Sequence, residues 1–392
     1  MKRDDIYLDY NASTPCDPRV VEAMLPYLTQ TYANPSSRQH QHGREAYAAL
    51  EEARSTIART LGCRSGTEIF FTSGATEANN IVLSGVAQAM THRGRHIVTQ
   101  ITEHPSVLEP LRHLQRIGWE LTEIGVDRDG RIRLDELEAS LRDDTVLVSL
   151  MLANNETGTV QPVLDASRIS HRKGAMLHCD AAQGVGKLAL DIDRLDVDFL
   201  TLSGHKVYAP KGIGALFIRR TKPPVRLPPL IRGGGHEGGL RSGTPNLAGA
   251  VALARALEIS GQELTAESRR LAELRDHLET HVTSGIEDCT INGSTEHRLP
   301  GTSNLSFAGV DGNALLASLP DVAVSTGSAC TSTHAEASPV LRAMGVPAQL
   351  AKASLRLSLG RFTTADEVDR AADRIVAEVI RLRSLKRRFQ ST

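Results

Sequence analysis

Five short polar segments of this chain could do chemistry, and each follows an apolar run. Thr72-Ser73-Gly74-Ala75-Thr76-Glu77 offers hydroxyls and the free N–H groups of a helix start, which suit a phosphate. Taken alone, an ordinary N-cap is the simpler reading. Thr102-Glu103-His104-Pro105 presents a histidine, a residue more often structural than catalytic when it stands alone at a strand end. Ala153-Asn154-Asn155-Glu156-Thr157-Gly158 can aim an amide at a ligand or simply form a turn. In His178-Cys179-Asp180-Ala181-Ala182-Gln183, an acid ends an apolar strand, where an unpaired carboxylate is costly. A buried cation, such as a protonated pyridine nitrogen, would balance it. Ser203-Gly204-His205-Lys206 places a lysine beside glycine and a hydroxyl, a candidate Schiff-base amine. Each segment alone is ambiguous. Phosphate donors, an acid and a lysine on one sheet form a far more specific set.

The elements that must position these residues follow from periodicity. Strand patterns at 68–73, 96–101, 145–151, 175–180, 199–203 and 215–218 alternate with helical patterns at 75–90, 105–117 and 163–173. Such alternation predicts an α/β fold with a mainly parallel sheet covered by helices on both faces. Ligands gather at the carboxyl ends of such strands, where the five segments lie. A long helical stretch, 247–286, predicts a connector to a second region. Short strands at 302–307, 322–325 and 354–359 follow, then a terminal helix over 366–388. Acidic residues open that helix and basic ones close it, as its dipole favours. These patterns predict a large α/β domain at 15–260 and a small α+β domain formed by 1–14 plus 261–392. The basic residues Arg381, Arg383, Lys386, Arg387 and Arg388 read as a solvated helix face.

Composition narrows the class. The 392 residues are 40% hydrophobic and 23% charged, with a formal net charge of −1. That balance gives no general pull toward nucleic acid or membrane, so direct nucleic-acid binding is not expected. The N-terminus carries no apolar signal segment and no run approaches a membrane span, which predicts a cytoplasmic protein. Five scattered cysteines form no C-x-x-C pair, so no metal centre is expected from them.

The motifs as a set resemble the cysteine desulfurases, a branch of the class V, fold-type I pyridoxal 5′-phosphate (PLP) enzymes. The resemblance spans nearly the whole chain. It runs from Tyr7-Leu8-Asp9-Tyr10-Asn11-Ala12 and Asn34-Pro35-Ser36-Ser37 through the five segments. Gly233-Gly234-Gly235-His236-Glu237, Arg241-Ser242-Gly243-Thr244, Ser325-Thr326-Gly327-Ser328-Ala329-Cys330 and Ser354-Leu355-Arg356 extend it. The resemblance implies PLP bound to Lys206, with Asp180 at the ring nitrogen, His104 over the ring and Gln183 at the phenolic oxygen. It implies a phosphate site of Ala75, Thr76, Ser203 and His205, completed by Thr244 of a neighbouring subunit, hence a homodimer. It implies that Asn155 and Arg356, with Asn34 nearby, bind the carboxylate of L-cysteine. His104 and Lys206 would move protons, and Cys330 would attack the substrate sulfur as a thiolate and carry it as a persulfide.

The Cys330 segment resembles the long-loop group of this family, with its Ser-x-Gly-Ser-Ala-Cys pattern. The expected reaction is L-cysteine to L-alanine, with sulfur passed to an acceptor protein in iron–sulfur assembly, tRNA thiolation or DNA phosphorothioation. Three departures bear on the acceptor. The chain ends at Thr392, soon after the terminal helix, where housekeeping members often have a longer tail for scaffold docking. Gly238 stands where arginine is common, and the segment after Cys330 differs in detail. Other readings stay open at this point: a selenocysteine lyase or aminotransferase on the same fold, or a non-catalytic dimeric scaffold.

Overall fold

The structure, a computed structural model, describes residues 5–220, 225–326 and 337–390, the last three without their side chains. Among the described residues twelve strands form three sheets. They are β1 (Ile6–Tyr7), β2 (Ile69–Thr72), β3 (His96–Gln100), β4 (Glu120–Ile124), β5 (Thr145–Met151), β6 (Met176–Asp180), β7 (Phe199–Ser203), β8 (Gly214–Ile218), β9 (Cys289–Ile291), β10 (Thr302–Phe307), β11 (Val322–Ala323) and β12 (Ser354–Ser358).

The largest sheet has seven strands in the order β2-β8-β7-β6-β5-β3-β4. Strands β4, β3, β5, β6 and β7 are parallel, as the strand–helix alternation predicts. The sheet departs from that pattern at one edge, where β8 runs antiparallel to both β7 and β2. The reason is the connection. Segment 204–213 is too short for a helical crossover, so the chain returns beside β7 in the opposite direction. That short return carries Lys206.

The central strands are buried on both faces and read as near-continuous apolar runs. Their side chains alternate between two cores. Leu177, Cys179, Leu200 and Leu202 face helices Gln41–Thr60, Val163–Arg172 and the first part of Leu247–Gly285. Met176 and Phe199 face helices Ala75–Met90 and Pro105–Arg116. By the same parity Asp180, Thr201 and Ser203 point to the second side. This alternation selects which helix meets Asp180.

A third core joins β10 and β12, through Leu305, Phe307, Leu355 and Leu357, to the end of the long helix and the helix Ala365–Gln390. The predicted start of that last helix moves from Asp366 to Ala365. Thr364 caps it, its Oγ1 accepting the N–H of Glu367 while Glu367 Oε2 accepts the N–H of Thr364. The predicted strand over 322–325 shortens to β11, paired parallel with β1. On the surface of the third core, His277 and His281 meet Asp369 and Asp373 at 2.6 and 3.0 Å.

Candidate active site

Asp180 ends β6 with only 6% of its surface exposed. Its Oδ2 accepts from Asn79 Nδ2 at 2.8 Å and its Oδ1 from the N–H of Ala182 at 2.9 Å. Both donors are neutral. A buried carboxylate held this way is well placed to take a cationic partner from the adjacent cavity. Asn79 lies one turn inside helix Ala75–Met90 and is fully buried. Its second amide hydrogen goes to Ser106 Oγ at 2.9 Å, and its Oδ1 accepts from Thr201 Oγ1 at 2.6 Å.

Ser106 passes this network to His104, whose Nδ1 lies 2.8 Å from Ser106 Oγ. His104 caps helix Pro105–Arg116, with Nδ1 accepting the N–H of Ser106 at 3.1 Å. The neutral ring therefore carries its proton on Nε2. Burial lowers the His104 pKa; Asp180 opposes the shift and Lys206 adds to it.

Lys206 closes a single 3₁₀ turn, Gly204–Lys206, directly after β7. Only glycine fits at 204: an added Cβ would meet Ile213 Cγ2 at 2.8 Å and Pro210 O at 3.1 Å. Lys206 Nζ donates to the main-chain oxygens of Asn11 at 2.5 Å and Ala12 at 2.9 Å. Gln183 Nε2 donates to the same Asn11 oxygen at 2.8 Å.

Helix Ala75–Met90 opens into the cavity with no side-chain cap, because Gly74 occupies the cap position. Neither hydroxyl of Thr72-Ser73 replaces it: Thr72 Oγ1 donates to Gly74 O at 3.0 Å instead. This corrects the N-cap reading and leaves the first N–H groups available to a phosphate. Ser203 lies beside them, its Oγ 3.4 Å from where a Cβ on Gly74 would stand. His205 is pushed down to about 4 by burial and then by Lys206, Lys211 and Lys187, so it is neutral near pH 7.

Arg356, on β12, is 4% exposed and donates to Asn155 O at 3.2 Å and Asp9 Oδ1 at 2.6 Å. Asn11, His104, Asn155, Asp180, Lys206 and Arg356 line one cavity of about 570 Å³. Ala75, Thr76, Gln183, Ser203 and His205 line it too. An uncapped helix end, a buried acid and an amine around one such space fit PLP's phosphate, ring nitrogen and aldehyde respectively.

Asn34 is exposed and does not line this cavity. Asn34 Oδ1 instead accepts the N–H of Ser36. Thr244, expected at a neighbouring subunit's phosphate site, is exposed as well. Cys330 lies outside the described residues. The sequence reading missed Asn79, Ser106 and Lys187. A buried asparagine in the apolar stretch 78–87 is the one signal that could have exposed Asn79.

Comparison with known proteins decides the family. A model described as Aminotransferase class-V matches residues 6–371. The Cysteine desulfurase IscS of Anaeromyxobacter sp. (strain Fw109-5) is 48% identical over 97% of this chain and 94% of that protein. The chain belongs to the cysteine desulfurase family. Like the class-V aminotransferases around it, this family is PLP-dependent. Among solved structures, a NifS-like protein superposes with a TM-score of 0.89 and 39% identity, over 95% of this chain and 98% of that one. A structure of SspA in complex with cysteine gives a TM-score of 0.81 and 35% identity, over 92% and 100% of the two chains. Membership of the desulfurases favours that activity over the lyase and aminotransferase readings.

Proposed function

We propose that this enzyme converts L-cysteine to L-alanine and carries the released sulfur as a persulfide on Cys330. The observation that carries this reading is the convergence of Asp180, His104, Lys206, Arg356 and an uncapped helix end on one cavity. PLP, when bound, supplies an electron sink for electrons released at the substrate's Cα. The chain does the rest. Asp180 would pair with the ring nitrogen, and Asn79 holds Asp180 in place. Arg356 and the turn at Asn155 bind the substrate carboxylate. Lys206 Nζ takes the Cα proton, and His104 Nε2 exchanges a proton with the substrate thiol. Cys330 Sγ attacks the substrate sulfur; the carbon–sulfur bond breaks as the sulfur–sulfur bond forms. The balance is L-cysteine plus a thiol giving L-alanine plus a persulfide.

Cys330→Ala tests the carrier. The variant should keep its cofactor and its spectral response to L-cysteine while sulfide release with a reductant falls at least about a hundredfold. Full turnover in that variant would remove Cys330 from the reaction.

The remaining assignments belong to the same proposal. The first and third cores support a large domain at 15–260 and a small one of 1–14 plus 261–392. Exposed Thr244, with Leu25, Leu28 and Tyr32 at the surface, supports a homodimer in which Thr244 completes the partner's phosphate site. Light scattering on the holoenzyme should return twice the chain mass. The four described cysteines are free thiols, and no described helix is long and apolar enough to cross a membrane. The free thiols support work in a reducing compartment such as the cytoplasm. Iron–sulfur assembly, tRNA thiolation and DNA phosphorothioation each need a persulfide donor. Capture of an acceptor by the persulfidated enzyme distinguishes them.

A further inference from the structure

Behind the cofactor cavity lies a second, much smaller space of about 20 Å³. Asn11 and Lys206 line both spaces. Lys187 lines only the rear one, and nothing in the reaction derived above uses it. Its Nζ donates to Gln183 Oε1 at 2.8 Å and to Asn11 Oδ1 at 3.0 Å.

Those two bonds dictate a geometry. An ammonium donates and never accepts, so both amides must turn their oxygens toward it. The N–H groups of Gln183 are then forced to the opposite side. There Nε2 meets the Asn11 main-chain oxygen that also receives Lys206 Nζ. Asn11 Nδ2 is likewise forced away, onto Asn155 O at 3.2 Å and Thr302 Oγ1 at 3.0 Å. One ammonium thus sets two amides, and the Gln183 amide shares the Asn11 main-chain oxygen with Lys206 Nζ.

The charge environment is equally particular. Among the described residues no carboxylate pairs with Lys187. Burial, then the like charges of Lys206 and Arg356, push its pKa down to about 7; Glu267 opposes them. The other titratable groups facing the rear space are the phenols of Tyr10 and Tyr208. Interaction between like charges is reciprocal. A cation at Lys187 therefore disfavours a second one on Lys206.

We propose that Lys187 is a positioning residue for the cofactor site. It holds the Gln183 amide with its N–H groups toward the cofactor, and its charge opposes protonation of the linkage between Lys206 and the cofactor. This rests on Lys206 being the lysine that holds PLP.

The test is a spectrophotometric pH titration of the holoenzyme's visible cofactor band. Lys187→Met removes charge and donor but keeps the stem. It should move the titration midpoint upward by about one pH unit, the size expected when a nearby like charge is removed. Lys187→Gln, which keeps an amide donor, should shift the midpoint the same way and serves where the Met variant does not fold. Lys187→Arg keeps the charge at every pH, so its midpoint should lie at or below that of the wild type. An unchanged midpoint in a folded, loaded neutral variant overturns the proposal. So does an upward shift in the Arg variant as large as in the neutral ones. Borohydride reduction of the wild type followed by peptide mapping tests the underlying reading separately. Cofactor fixed to Lys187 instead of Lys206 would refute that reading, whatever the titration shows.

Discussion

At the scale of single residues, the site depends on groups that never touch the cavity's chemistry directly. Asn79 uses both amide hydrogens and its oxygen, on Asp180, Ser106 and Thr201. Asn79→Ala leaves three buried groups short of a partner and should destabilise the protein by about 3 kcal/mol. It also removes the donor that fixes Asp180 Oδ2, so cofactor retention should fall roughly tenfold in equilibrium dialysis. Retention equal to the wild type would show that Asn79 only fills space. Glu103 makes a second case. Its Oε1 accepts the N–H of Met151 at 2.5 Å, and complete burial, with Asp180 adding to it, raises its pKa well above the carboxylate range. A carboxyl with a raised folded pKa binds more protons folded than unfolded. Its contribution is complete below the unfolded value of about 4.3 and is lost as pH rises toward the folded one. Glu103→Gln removes that loss. Melting temperatures from pH 4 to pH 8 should therefore fall less steeply in the variant than in the wild type; parallel curves would contradict the assignment.

At the scale of elements, what was legible depended on whether a segment's pattern was local. Strands β5, β6 and β7 are buried on both faces, so their apolar runs stand out in sequence, and the polar residues that end them stand out too. Asp180 at the end of β6 and Lys206 just after β7 stand out by that contrast. Strand β4 was not legible, because at the sheet's edge only Ile124 of its five residues is buried and two glutamates interrupt it. Asn79 was not legible as a site residue because its partner Asp180 is 101 residues away. The uncapped helix end was misread because Thr72 and Ser73 are good caps by type, and only the fold shows Gly74 in the cap position. The turn at Gly204 carries the prediction at this scale. It packs against Ile213 and Pro210 with no room for a side chain. Gly204→Ala should cost about 2 kcal/mol of stability through overpacking. Because the turn sets the origin of the Lys206 stem, cofactor content on purification should fall below half. A fully loaded Gly204→Ala protein would show that the lysine finds its place without the turn.

At the scale of the whole molecule, the two halves of the fold share one long helix. Leu247–Gly285 contributes Leu253 and Leu257 to the sheet's core and Leu278 and Val282 to the core of β10 and β12. Arg361 ties this helix to the rest of the chain. It is largely buried, and its guanidinium reaches Asp17 at 2.8 Å and Glu267 at 3.0 Å, while stacking 4.2 Å over the Tyr208 ring. Tyr208 follows Lys206 closely, and Asp17 follows the Asn11-Ala12 turn that holds Lys206 Nζ. The clamp therefore spans the sheet, the helix connector and the segment after β12. Arg19 and then Arg361 hold the Asp17 carboxyl well below its usual range. A depressed folded pKa means the stabilisation is complete above the unfolded value of about 3.9 and is lost as pH falls through the folded one, so the clamp is intact at neutral pH. Arg361→Ala leaves the largely buried Glu267 without its cation, while Asp17 keeps Arg19, and should cost about 3 kcal/mol. Calorimetry of the holoenzyme should show the transition lowered by roughly 5 °C or more and broadened, as the two cores lose their coupling. Arg361→Lys, which keeps the charge but cannot reach both acids with one planar fork, should fall between. A single unshifted transition in the alanine variant would show that the long helix alone couples the two halves.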